Sequence, residues 1–309
     1  MVTYNTYLEE KQYRAIAAKA AKYYQEMDIT ADIPRIDAPV PDAREYRWTV
    51  LTNPNVSRGV YDWSPTGPAA DVQAGYTDYD LPGIQMDLFI PKGGINQKYG
   101  EGMLADQRAA MIAKWAVDVD DALVSGATDE SGNVALDAGG MEGQGTAVID
   151  LNGTDSNLVT KGYIWDGINK MIDAIPFGMR QEGPPMLLYV SENLYKKSAA
   201  SNRIYQDKVE YDFIHEYLVG EKAIKSRKIA KIIVTNKILV AGTDTAGTND
   251  RMILLVPDTR WLGRVISRGF SLIDEEQVMF GQHQAWGWRG AFICDNANAM
   301  QVSEQIVWA

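Results

Sequence analysis

Apolar residues recur at helical spacing near the start of the chain. Tyr13, Ile16, Ala20, Tyr23 and Met27 form one stripe over residues 7–27, with Lys11, Lys19, Lys22 and Gln25 between them. That period predicts an amphipathic helix. The pattern then breaks, because Pro34, Pro39 and Pro41 fall close together in the segment 31–43. Proline fixes φ and has no N–H, so neither helix nor ladder bonding is expected there. An extended strap is the natural conformation. Strict alternation follows: Tyr46, Trp48, Val50 and Thr52 against Glu45, Arg47, Thr49 and Leu51, a strand. A second strand is expected from Ile84 to Ile90, with Ile84, Met86, Leu88 and Ile90 on one face.

Between these strands, residues 53–83 show no sustained period. They are rich in Gly, Pro and Asp, yet carry Val60, Tyr61, Trp63, Tyr76 and Tyr79. A structureless loop of that length is uncommon inside a compact domain. Aromatics seek burial. Such an excursion either folds back over its own domain or packs on another chain, and the second is the stronger expectation.

Beyond the loop, a long helix is predicted over 101–124. Leu104, Met111, Trp115, Val119 and Ala122 form its stripe, and Ser125-Gly126 ends it. At about 1.5 Å per residue it would be a strut of roughly 35 Å. GGMEGQG at 139–145 reads as a flexible connection. A helix over 161–175 stops at Pro176. The apolar runs 186–190, 231–235 and 252–256 read as strands, and Ser191 as the N-cap of a short helix. Near the C-terminus Trp286, Trp288, Phe292 and Cys294 alternate. So do Met300, Val302, Ile306 and Trp308, after a turn at 295–298. Helices and strands are segregated, so the expected class is α+β.

Composition narrows the function. The 309 residues are enough for a sizeable core. The net charge of −11, with scattered Lys and Arg, argues against a chain that grips nucleic acid. The densest basic stretch, Lys222 to Lys231, reads as a solvated edge. No apolar run is long enough to span a bilayer, and the first residues do not read as a signal peptide. The single cysteine, Cys294, allows no intrachain disulfide.

Candidate chemistry is sparse. His215 and His283 have no partner at ligand spacing. Cys294 reads as a packing residue on a strand. Asp118, Asp120 and Asp121 could hold a divalent cation, but Asp118 and Asp121 read better as solvated. TDESGNVALD lacks the calcium-loop Glu, and no phosphate-cradling or nucleophile-elbow motif occurs. No catalytic, metal or cofactor-binding residue is expected, and no cofactor.

Segments from residue 100 onward carry a family likeness. AKWAVDVDDALVSGATDESG, leading to GGMEGQG, resembles the spine helix and following loop of Hong Kong 97-type major capsid proteins of tailed viruses. GYIWDGINKMIDAIP and PMLLYVSENLYKKSAA resemble the next helix, strand and short helix. IAKIIVTNKIL, RMILLVPDTRWLGRVISRGFSLIDEE and AWGWRGAFICDNANAMQVSE are similar to the closing strands. The resemblance implies an N-terminal arm at 1–45 and an extended E-loop at 46–91. It implies a P-domain with the long spine helix at 92–154 and 270–309, and an A-domain at 155–269. It further implies self-assembly through pentamers and hexamers into an icosahedral shell. That shell would enclose double-stranded DNA without sequence-specific binding, as a virion capsid assembled in the host cytoplasm. Scaffolding, portal and decoration proteins are the further partners implied, and no membrane. The expected intersubunit residues are Tyr61, Trp63, Tyr76 and Tyr79 in the E-loop, with Tyr13, Ile16, Tyr23 and Pro39 in the arm. An encapsulin-like compartment enclosing a cargo enzyme is the alternative with the same fold. A soluble enzyme using Asp118 and Asp121 is a third.

Overall fold

The computed structural model describes residues 29–55, 71–91, 117–120, 122–124, 140–144, 148–149, 164–192, 195, 216–235, 252–279 and 281–303. Two sheets and a separate hairpin organise them. Strand order in one sheet is β5 (Val148–Ile149), β11 (Met300–Ser303), β8 (Met252–Leu255), β6 (Met186–Val190), β7 (Ile229–Val234). The other runs β1 (Arg35–Asp37), β9 (Leu262–Val278), β10 (Gly281–Cys294), β4 (Gly83–Pro91). The hairpin is β2 (Glu45–Asn55) against β3 (Asp71–Asp80). Mixed sheets with segregated helices make this an α+β chain.

The five-stranded sheet is covered on both sides. Leu187 and Tyr189 of β6, with Ile253 and Leu255 of β8, face one cluster. Met186, Leu188, Val190, Met252 and Leu254 face another, under the helix Ile164–Ala174. Neighbouring residues on a strand point to opposite faces, so a strand buried twice is apolar at every position. That is why MLLYV and MILL lack alternation. Ile168, Met171, Ile172 and Ile175 bring the helix stripe down on the sheet. Pro176 then stops it, and a short helix, Phe177–Glu182, begins.

Three expectations are corrected. First, the strap does enter a ladder: Arg35–Asp37 pairs in parallel with Arg264–Ile266. Prolines 34 and 39 bracket these residues without removing their N–H groups. Gly263 admits the strap, since a Cβ there would lie 2.6 Å from Ile36 Cδ1. The strap is also clamped from the sides. The Arg264 guanidinium donates to the carbonyls of Ile33 and Ala31 at 3.2 and 3.4 Å. The Tyr189 hydroxyl donates to Ile29 O at 3.1 Å.

Second, the excursion at 53–83 is not structureless, because Asp71–Asp80 forms β3. Its polar, glycine-containing sequence hides a strand that pairs with the preceding β2, Glu45 opposite Asp80 and Thr52 opposite Gln73. Third, GGMEGQG includes a helical turn, Met141–Gln144, fixed to the body. Met141 is fully buried. The Gln144 amide donates to Phe292 O at 2.6 Å and accepts from Cys294 N–H at 2.7 Å. One carboxamide thus satisfies a donor and an acceptor on the β10 edge beyond the reach of β4. The turn at 295–298 links two strands, as the alternation predicts. It hands the chain from β10 in one sheet to β11 in the other.

Residues 117–120 and 122–124 are helical, within the expected strut. The rest of 101–124 lies outside the described residues, as do 7–27, Ile306 and Trp308.

Candidate functional site

The hairpin β2–β3 joins no larger sheet among the described residues, so it must be held at its root. Tyr46, Trp48, Thr77 and Tyr79 share one face by register; Arg47, Tyr76 and Asp78 share the other. The first face turns inward. Trp48 is buried with Leu81, Val265, Ala291 and Ile293, beneath Tyr46 and Tyr79. Tyr46 meets Trp48 edge-to-face with ring centroids 5.9 Å apart, a favourable aromatic geometry. The Tyr79 hydroxyl donates to Asp295 at 3.3 Å. Burial, then the Asp295 charge, pushes the Tyr79 hydroxyl up to about 12. Burial also raises the Asp295 carboxyl, opposed by that hydrogen bond. Strand β10 serves two clusters here. Phe292 and Cys294 point into the main core, Ala291 and Ile293 toward the hairpin root.

The second face is outward. Tyr76 is 64% exposed, with the Arg47 guanidinium 4.1 Å above its ring. Arg47 pairs with Asp78 across the strands at 2.7 and 2.9 Å. That pair raises the Arg47 pKa and lowers that of Asp78, mainly through the hydrogen bonds. Tyr76 and Tyr79 therefore differ in role. Their odd separation puts them on opposite faces, Tyr79 turned in toward Asp295 and Tyr76 turned out beneath Arg47.

Pro39 lies at an exposed turn between the strap and β2. The turn is tied to β9: Asp42 N–H donates to Ser267 O at 3.1 Å, and Asp42 pairs with Arg268. Asp42 has φ 63°, a left-handed conformation that Asp tolerates better than most residues. Tyr13, Ile16, Tyr23, Tyr61 and Trp63 lie outside the described residues.

The acidic run has a structural use. Asp120 is buried and accepts from the Thr30 hydroxyl at 2.9 Å and from Ile29 N–H at 3.2 Å. It fixes the strap where the strap enters the body. Asp118 is half-buried, and Asp121 lies outside the described residues. Among the described residues no three His, Cys, Asp or Glu side chains gather as a metal site. Cys294 is buried, and desolvation, then Asp295, pushes its thiol up to about 12, so it is not a thiolate nucleophile at neutral pH. His283 sits on β10 between Glu276 and Phe89. His215 lies outside the described residues. No described helix is long and apolar enough to cross a membrane.

Sequence patterning missed the groove beside the hairpin root. It is an open cavity of about 820 Å³ between β1, β2 and the turns at 259–261 and 295–296. These segments are far apart in sequence, so no spacing could have joined them.

No protein-family model matches the chain, and no curated protein does. Solved structures do. The capsid of Myoviridae Phage XM1 aligns at TM-score 0.60 and 12% identity, over 90% of each chain. The capsid of an empty GTA particle aligns at 0.56 and 10% identity, over 90% of this chain and 89% of that one. A virus-like particle from Pyrococcus furiosus aligns at 0.50 and 11% identity, over 95% and 98%. The chain has the Hong Kong 97-type capsid fold.

Proposed function

We propose that this chain is a major capsid protein that assembles through pentamers and hexamers into an icosahedral shell around double-stranded DNA. The observation that carries the proposal is the capsid-fold likeness along nine-tenths of both chains. A shared fold at this identity does not by itself assign a function. The hairpin adds physical support. It leaves the body with one face spent on its own root and the other, bearing Tyr76, facing outward. A surface of that kind is useful to a neighbour, and symmetry multiplies modest contacts over a closed shell.

In this proposal 46–91 is the E-loop, with Tyr61, Trp63 and Tyr76 on adjoining copies. Residues 1–45 form the N-terminal arm, with Tyr13, Ile16, Tyr23 and Pro39 as its contacts to neighbouring copies. The P-domain holds the spine helix within 92–154. The P-domain also takes 270–309, and the A-domain is 155–269.

Electron microscopy and sedimentation of the purified chain test the proposal. Closed particles in the megadalton range are expected, with nuclease-protected DNA in particles from the native source. A monomer or dimer at all concentrations overturns it. Particles loaded with a protein cargo and no DNA move the assignment to a compartment shell. Replacing 56–70 by a short Gly–Ser link should leave soluble subunits that form no shell. Intact shells from that variant would remove the hairpin tip from the interface.

A further inference from the structure

The β9–β10 hairpin carries opposite chemistry at its two ends. At the root is the open groove, lined by Arg35, Arg47 and Arg260 together with Tyr46, Trp48 and Trp261. Its lining includes one carboxylate, Asp295, which already accepts from Tyr79. Each arginine has an acidic neighbour in its own chain, Asp37 for Arg35 and Asp78 for Arg47, and Arg260 has two, Asp258 and Glu182. None of those four acids lines the groove. Ion pairs at the surface hold each other weakly, and a guanidinium has five N–H donors, so all three can take another carboxylate.

At the tip, Asp274, Glu275 and Glu276 follow one another, all exposed. No basic side chain among the described residues forms an ion pair with them. Glu275 accepts from the amides of Gln282 and Gln284, and Asp274 from the Glu275 N–H. Ile273 and Met279 flank the acids, 45% and 81% exposed. An acidic tip with apolar flanks complements a groove of arginines and aromatic rings.

The two ends cannot meet within one chain. Strand β9 has 17 residues. At about 3.3 Å per residue it holds tip and groove roughly 50 Å apart. The tip must therefore find its partner on another molecule. A contact between two different patches of identical chains is heterologous, the kind that builds rings.

We propose that the acidic tip of the β9–β10 hairpin of one copy seats in the arginine-lined groove of a second copy. The proposal rests on the shell-subunit reading, since only an assembling chain offers both ends to its copies. It goes beyond that reading by naming a contact and its direction.

Cysteine trapping in the full-length chain tests it. The native Cys294 is buried, so the background is low. Gln277→Cys marks the tip and Thr259→Cys the groove, both at exposed positions. Co-assembled and oxidised, the two variants should give a covalent dimer, and neither should do so alone. Adding Glu275→Lys and Glu276→Lys to the tip variant should cut the yield at least about fivefold. Three outcomes overturn the proposal: no dimer from particles that form normally, a dimer from Gln277→Cys alone, or a yield indifferent to the charge reversal. The first two refute the contact while the shell reading stands. Failure of the unmodified chain to assemble removes both.

Discussion

The five-stranded sheet and the long β9–β10 hairpin use similar residues to opposite ends. In the sheet, β6 and β8 are buried at every position, and a helix closes one side. Little of that region is left to offer a partner. The hairpin is buried without interruption where it leaves the body, at Gly290–Cys294, and only in part along the rest of β10. Farther out, Asp274 to Gln277 and Met279 are exposed. The β2–β3 hairpin repeats the scheme on a smaller scale, with Trp48 buried and Tyr76 out. One region completes itself, and the others begin in the core and end at the surface. That division suits the shell subunit proposed above, with a core that completes itself and projections left for neighbours.

Three substitutions would break or sharpen the contrast. The largest effect is expected from Leu254→Ala in the self-contained sheet. Leu254 is fully buried, and truncation there should cost roughly 3–5 kcal/mol. Urea denaturation followed by far-UV circular dichroism should show the loss for the whole chain. A cost confined to local fraying would deny that this sheet is the structural centre.

Trp48→Ala comes next, at about 3 kcal/mol. Its effect should be local: faster amide exchange along Glu45–Thr49 and Tyr76–Asp80, with the amides of β6 and β8 unchanged. Equal loss of protection in β6 would merge the two regions into one cooperative unit.

The smallest effect belongs to Tyr79→Phe, about 1 kcal/mol from the lost bond to Asp295. The raised pKa sets its pH dependence. A group that holds its proton more tightly when folded contributes fully below its unfolded value, near 10, and loses that contribution as pH rises to about 12. The difference between wild type and variant should therefore shrink over that interval. A constant difference would mean that the hydroxyl does not anchor the hairpin.

Much of this fold was legible along the chain. The helix ending at Pro176 and the apolar strands 186–190 and 252–256 carry local signals, period and punctuation, that need no distant partner. The strand Asp71–Asp80 was not legible, because it contains Asp, Gly and Gln and is a strand only beside Glu45–Asn55. Gln144 gave no sign that its amide would complete the edge of β10. Asp120, set apart from the solvated pair Asp118 and Asp121, had no partner legible in the sequence until Thr30 and Ile29 closed over it. Of the interface candidates, Tyr76 and Tyr79 were equal in composition, and only the pairing register put them on opposite faces.

By itself, then, the sequence determined the class of the fold, the elements with strong period, and the presence of aromatic residues with no obvious home. Those are properties of neighbours along the chain, where apolar spacing and proline act over a few residues. Tertiary structure alone decided which acids were buried, which arginines came to share a groove, and how far that groove stands from the acidic tip. Those depend on contacts between segments far apart in the chain, 90 residues for Asp120 and Thr30 and 216 for Tyr79 and Asp295, and on the length of a strand whose rigidity comes from its partners.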